Sequence, residues 1–294
     1  MELAAQLLIN TLQIGVVYVL FSLGLTIIFG VMKIVNFAHG EFFAVAALLM
    51  AVLVNTAADE FGLPLWVGYA GGFVGAVIAV LVLGLIVYRP AFERYLRDLV
   101  GSFILSVGLL LLLQGILLEV FGGVPRVVPR MGDNTISILG GRITELRLAV
   151  SLIALAIMLL AYLLIQRTRL GMALRAMSED HEAAMLQGIR YRRIALYGFL
   201  IGSVLAATAG ALIAPLTAIT PAIGGDYLVK AFIIVIVGGL GSITGAISAG
   251  FLIALIESIG GFFLDPSLTT VALFMLVIIF LVLRPQGIMG HAEK

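Results

Sequence analysis

The chain has 294 residues, 62% of them hydrophobic and 11% charged, which is far more apolar than a soluble domain of about half apolar and a quarter charged residues. The formal net charge of +1 offers no basic face for nucleic acid. With no cysteine, the chain holds no disulfide and no cysteine-ligated zinc or iron–sulfur centre.

Eight stretches contain no Asp, Glu, Lys or Arg: 3–32, 42–58, 61–88, 99–118, 148–166, 194–225, 231–256 and 266–283. A helix needs about 20 apolar residues to cross the hydrocarbon core, and backbone groups there must be satisfied internally. The sequence therefore predicts an all-α polytopic membrane bundle of about 8 to 9 transmembrane helices, a single domain over 1–294 with lipid around it. Spans are expected near 6–31, 40–57, 65–88, 99–121, 148–166, 194–216, 244–263 and 267–283. The first has no positive segment ahead of it and no small-residue cleavage site behind it, so it reads as a retained span. Small residues four apart suit helices packed in lipid. They occur at Ser22, Thr26 and Gly30, at Gly71 and Gly75, at Gly202, Ala206 and Gly210, and at Ala246, Gly250 and Ala254.

After the first span, Asn36 is placed to cap the second, and Gly40 permits tight packing. His39 and Glu41 sit either at a watered interface or in a gate closed by polar contacts. The turn at 58–64 carries Asp59 and Glu60 and no base. Loops 89–98 and 167–193 are rich in arginine, and Lys33, Arg284 and Lys294 lie on the same side of the alternation. Positive loops stay inside, so the N-terminus should be external and the C-terminus cytoplasmic. That parity needs an odd number of crossings. Eight full spans are even, so the short apolar piece 229–240 must cross as a ninth or be re-entrant.

Loop 122–147 is the sizeable external segment, although it holds four arginines beside Asp133 and Glu145. Gly122, Gly123, Pro125, Pro129 and Gly132 keep its first half irregular, and Ile136–Ile138 suits a short strand. It is an entrance, a partner site or a connector.

The central cytoplasmic loop, 167–193, predicts an autonomous helix over 179–187. Ser178 is its N-cap, Glu179 and Asp180 stand in the first turn, and Gly188 takes the left-handed position that ends it. Such a helix is too short and polar to span. It docks into a groove on another protein, or it lies on the membrane with Arg175 and Arg190–Arg193 against headgroups. Further on, Pro215 ends the sixth span, Thr217 and Thr220 bring hydroxyls to an outer mouth, and Asp226 and Lys230 have the spacing of an i,i+4 pair. Gly238, Gly239 and Gly241 break the chain, as a pathway element or as a tight turn at the membrane face. Glu257 lies within a span, where a carboxylate must face protein or water, in a functional or a structural role.

Several of these blocks carry a resemblance. Glu182-Ala183-Ala184 with Gly188 looks like the Glu-Ala-Ala-x-x-x-Gly loop of permease subunits of bacterial ATP-driven importers. Asn36-Phe-Ala-His39-Gly-Glu41, Gly171-Met-Ala-Leu-Arg175-Ala, Gly238-Gly239-Leu-Gly241-Ser with Gly245, and Arg284-Pro-Gln-Gly287 follow in the order of branched-chain amino acid permeases of the LivH type. The resemblance implies an importer permease fold and a bacterial inner-membrane location. It implies two cytoplasmic ATP-binding-cassette ATPase subunits, a second, LivM-like permease subunit and an external substrate-binding protein. It also implies that 182–188 forms the coupling helix, with Arg175, Glu179, Asp180, Glu182, Ala183 and Gly188 as candidate contacts to the ATPase. Asn36, His39, Glu41, Gly238, Gly239, Gly241 and Glu257 are the pathway or gate candidates. A mostly apolar pathway without fixed charge is expected.

No Gly-x-x-x-x-Gly-Lys-Ser/Thr phosphate loop exists, so ATP would be used by partner subunits and no cofactor is expected on this chain. His39, His181 and His291 are far apart, without metal-ligand spacing, and neither catalytic residues nor a metal is expected. An ion-coupled secondary transporter of small amphipathic solutes is the alternative, and a non-transporting membrane anchor is a further one. Intramembrane Glu257 and the broken segment at Gly238–Gly241 keep the former open.

Overall fold

The computed structural model describes residues 2–132, 134–138 and 140–289. Asp133, His291 and Lys294, invoked above, lie outside them. Eleven α-helices and one small hairpin make up the described chain. The helices are α1 (Glu2–Met32), α2 (His39–Asp59), α3 (Leu65–Tyr88), α4 (Leu99–Phe121), α5 (Glu145–Arg167), α6 (Arg169–Glu179), α7 (His181–Leu186), α8 (Tyr191–Ile213), α9 (Ile223–Gly238), α10 (Ile243–Phe263) and α11 (Pro266–Leu283). Strands β1 (Thr135–Ile138) and β2 (Gly141–Thr144) pair antiparallel between α4 and α5. Among the described residues, seven helices are long and apolar enough to cross a membrane.

Helix α1 is the axis of the bundle. It is hydrophobic all round, the pattern of a helix buried on every side, and Gly15–Ile28 are all buried. Helices α8 and α10 flank it, with α5, α6 and α9 also against it. Small residues set these crossings. A Cβ on Gly24 would stand 2.6 Å from the Gly202 carbonyl oxygen, and one on Gly202 would stand 2.7 Å from that of Gly24. Gly250 lies against Val19, and Gly15 against Phe251 and Ala254. All four small-residue stripes thus have a member at a helix contact, since a Cβ on Gly75 would stand 2.9 Å from Leu53 of α2. At Gly71 there is open space instead.

The two ends of the bundle differ. At one, the hairpin clamps the start of α1, since the Gln6 side-chain amide donates to the Arg142 carbonyl and accepts from its N–H. Loop 122–132 is pinned there by an Arg126–Ile219 bridge, by Asn55 donating to Val127 O, and by Tyr69 donating to Pro129 O. At the other, basic end, the Lys33 ammonium donates to Ser178 O and the Tyr191 hydroxyl to Met32 O.

Helix α9 starts just after Ile219, at the hairpin end, and leads to Gly241, which lies against Gly30 and Ser178 at the basic end. It therefore runs from the hairpin end toward the basic end, although it is shorter than the seven spanning-length helices among the described residues. Its bounds are 223–238, longer at the start than the expected 229–240 piece. Gly239 ends it at φ 102°, a left-handed conformation that favours glycine.

Helix α2 departs from a simple hairpin with α1. Its first residue, His39, places Nε2 3.2 Å from the Phe21 carbonyl oxygen. Phe21 is eleven residues from the end of α1, about 16 Å at 1.5 Å per residue. Residues 33–38 therefore turn back into the bundle, and α2 begins inside it. Asn36 does not cap α2. The N-cap is Ala38, without a side-chain cap, and Asn36 is fully buried with neither amide atom bonded.

Candidate functional site

Two cavities lie along α1, one toward each end. The cavity at the hairpin end has a volume of about 370 Å³. Its lining combines aliphatic residues, Ile14, Val17, Ile213 and Leu216, with polar and charged ones, Asn10, Gln13, Tyr18, Arg147, Thr217, Tyr227, Lys230 and Glu257. At its floor three side chains close a ring. Lys230 Nζ donates to Glu257 Oε1 at 2.6 Å and to the Tyr18 hydroxyl at 2.6 Å, and that hydroxyl donates to Glu257 Oε2 at 2.6 Å. Both carboxylate oxygens are engaged, and two of the three ammonium protons. Lys230 also lies 5.1 Å from the Tyr18 ring centre and 6.0 Å from that of Tyr227, within range of cation–π attraction.

This ring corrects two sequence expectations. Lys230 pairs with Glu257 across α9 and α10 rather than with Asp226 one turn away. The cavity also carries fixed charge: Arg147, Lys230 and Glu257 all line it. Tyr18 and Lys230 were not among the candidate site residues. The available signal was that both have polar groups inside or beside an apolar span, as Glu257 does.

The cavity at the basic end has a volume of about 670 Å³. It is lined by Thr26 and Gly30 from α1, Lys33 just after it, Arg175, Ser178 and Glu179 from α6, and Gly241–Thr244 before and at the start of α10. Gly238 packs against Gly245, with no room for a Cβ, and Gly239 against Gly287. The glycine block thus serves close packing at Gly238 and Gly239 and borders a cavity at Gly241.

Between Tyr18 and Thr26, the α1 residues nearest one another in the two linings, lie about 12 Å of helix. The intervening residues 19–25 are all buried. An aromatic layer fills this level. Phe21 stacks on His39 at 4.8 Å and meets Phe43 edge-on at 5.1 Å, and Phe43 stacks on Tyr227 at 4.4 Å. His39 is completely buried and Glu41 is 1% exposed, so the watered-interface reading of both is overturned. His39 Nδ1 and Glu41 Oε2 have no hydrogen-bond partner. The chain turns inward before α2, which removes them from the surface.

At the basic end, the short helix differs from expectation in its start. Ser178 and Glu179 are the last turn of α6, a helix that the sequence reading missed. Thr168 caps it by accepting from Gly171 N–H, and the helically spaced Leu174 and Met177 are buried. Asp180 is the true N-cap of α7, accepting from Glu182 N–H at 2.9 Å and Ala183 N–H at 3.0 Å. Its compact carboxylate reaches both free donors of the first turn. Gly188 has φ 84°, as expected of the residue after a helix.

The structure divides the coupling candidates. Asp180, Glu182, Ala183 and Gly188 are exposed on and around α7. Arg175 and Glu179 instead line the basic-end cavity, and Arg175 Nη2 donates to Gln166 O at 3.4 Å. Leu186, not singled out from sequence, is 87% exposed at the tip of α7, beside the partly exposed Met185. An apolar tip thus stands exposed on a short, capped helix.

A family model described as the permease component of branched-chain amino acid transport systems matches residues 7–283. The chain belongs to this family. It is 29% identical to the high-affinity branched-chain amino acid transport system permease protein LivH of Escherichia coli (strain K12), over 98% of this chain and 96% of that one. It is 30% identical to the corresponding protein BraD of Pseudomonas aeruginosa, again over 98% and 96%. It is also 27% identical to LivM of the same E. coli strain, over 96% of this chain and 69% of that one. No solved structure gives a significant match. The permease family and the seven spanning-length helices make this a multi-pass membrane protein.

Proposed function

We propose that this permease is one half of the transmembrane pathway of an ATP-binding-cassette importer for branched-chain or related amino acids, in a bacterial inner membrane. The basic end faces the cytoplasm, in keeping with the arginine-rich loops. Two cytoplasmic ATPase subunits bind there, a second, LivM-like permease completes the pathway, and an external binding protein delivers cargo at the hairpin end. The resemblance to LivH, BraD and LivM supports this composition. The chain itself is not an enzyme and binds no cofactor; ATP is spent by the partners.

The observation that carries the reading is α7, a capped helix with an exposed Leu186 tip. Nucleotide binding by the partners pushes this helix and favours one of two arrangements of the bundle. Transport follows because the nucleotide binds one arrangement more tightly than the other. The aromatic layer of Phe21, His39 and Phe43 is the barrier between the two cavities, so His39 acts within a gate. Asn36 and Glu41, buried beside it in sequence, belong to the same gate. Gly241 borders the inner vestibule, Gly238 packs α9 against α10 beside it, and Glu257 joins α9 and α10 at the outer cavity.

In the reconstituted transporter, Glu182→Lys and Leu186→Asp should each lower amino-acid uptake at least tenfold while nucleotide hydrolysis persists and the chain still inserts. Coupled transport at the unmodified rate in both variants contradicts the assignment. The ion-coupled alternative draws on the Lys230–Glu257 pair inside the bundle. It would require this chain alone, in liposomes, to take up solute on a proton or sodium gradient.

A further inference from the structure

The geometry points to the Lys230–Glu257–Tyr18 ring as a recognition site for the charged ends of a free α-amino acid, which enters by opening the ion pair. This rests on the reading of the chain as an amino-acid permease and adds to it where, and by which groups, cargo is held.

Four observations carry the inference. The ring lines a cavity of about 370 Å³, near the lower limit of small-molecule sites and suited to a ligand of amino-acid size. The lining brings aliphatic groups, Ile14, Val17, Ile213 and Leu216, into the same cavity as Arg147, Lys230, Tyr18 and Glu257. A branched aliphatic side chain and a zwitterionic head need both kinds of surface. Lys230 and Glu257 keep 26% and 25% of their side-chain surface exposed, so the pair faces the cavity rather than being sealed in packing. Finally, the ring is satisfied without a ligand, and its members are the groups a zwitterion needs. An ammonium accepts replacement of Lys230 at Glu257, and a carboxylate accepts replacement of Glu257 at Lys230.

Insertion of the ligand converts one internal ion pair into two, Glu257 with the ligand ammonium and Lys230 with its carboxylate. The Tyr18 hydroxyl, already bonded to both partners, bridges either arrangement. Charge is conserved at each step and no proton needs to move. When the ligand leaves, the pair closes again. Binding is therefore weak and release is easy, because the empty site is not left with unpaired charge.

Weak binding suits saturation-transfer NMR on the full-length chain in lipid nanodiscs. The probes are L-leucine, L-leucinamide, which lacks the carboxylate, and 4-methylpentanoate, which lacks the ammonium. With the unmodified chain, each analogue should bind on the order of tenfold more weakly than leucine, since each leaves one ring member unpaired. Lys230→Met should abolish the discrimination between leucine and its amide, and Glu257→Gln that between leucine and 4-methylpentanoate. Equal binding of all three probes to the unmodified chain overturns the inference, and that measurement needs no variant. Retention of both discriminations in the folded variants overturns it as well. If the assembled transporter carries leucine while the chain treats the three probes alike, the inference falls and the transport reading stands. If another zwitterionic amino acid replaces leucine with the same dependence on Lys230 and Glu257, the inference stands and the cargo changes.

Discussion

At the scale of single residues, contacts between helices decide what each position tolerates. Gly202 and Gly71 are both helical glycines in apolar surroundings. A Cβ at Gly202 would fall 2.7 Å from both the Gly24 carbonyl oxygen and Ile28 Cδ1, whereas at Gly71 it meets nothing within 4 Å. Gly202→Leu should destabilise the bundle by about 1–3 kcal/mol or more through overpacking, and Gly71→Leu should leave it nearly unchanged. Thermal unfolding in detergent measures both, and equal losses in the two variants would contradict the packing described. The sequence offered the spacing at both glycines but not this difference, which depends on the face that meets a neighbour. The same limit applies to the charged ring. Glu257 stood out because a carboxylate within a span needs a partner. That partner is 27 residues away, and Tyr18 is 239 residues away. The local i,i+4 rule had matched Lys230 with Asp226 instead, because it knows nothing of the fold.

At the scale of elements, most helices follow from charge-free runs and their ends. Observed bounds for α3, α4 and α10 lie within a residue of the expected spans. The strand at 135–138 and the left-handed Gly188 were legible from turn chemistry. Helix α6 was missed because its pattern is amphipathic rather than apolar, with Leu174 and Met177 turned inward between arginines. Ser178 then looked like a cap, although the better acceptor was Asp180, two residues on. The inward return of residues 33–38 was hidden too, because Asn36-Phe-Ala-His39 has the composition of an ordinary loop. Its consequence is the aromatic layer shared by α1, α2 and α9. His39→Ala removes the ring stacked on Phe21 and opens a void at this level. In the assembled transporter it should raise nucleotide hydrolysis in the absence of cargo several-fold and weaken its stimulation by cargo. Unchanged basal hydrolysis in a folded variant would remove His39 from the gate.

At the scale of the whole molecule, the account is of a bundle without an engine. One cavity opens toward the hairpin end and the other toward the basic end, with a buried stretch of α1 between them. Apolar residues on α3, α4, α5 and α11 are widely exposed, as expected of surfaces that meet lipid or a second permease. In the proposed mechanism, force enters through α7. The absence of native cysteine makes a single substitution, Leu186→Cys, an unambiguous reporter. It should react with a membrane-impermeant thiol reagent in inside-out vesicles, stay unreactive in right-side-out ones, and crosslink to a nucleotide-hydrolysing subunit in native membranes. Reaction from the outer face, or crosslinking that never captures such a subunit, would contradict the proposed mechanism.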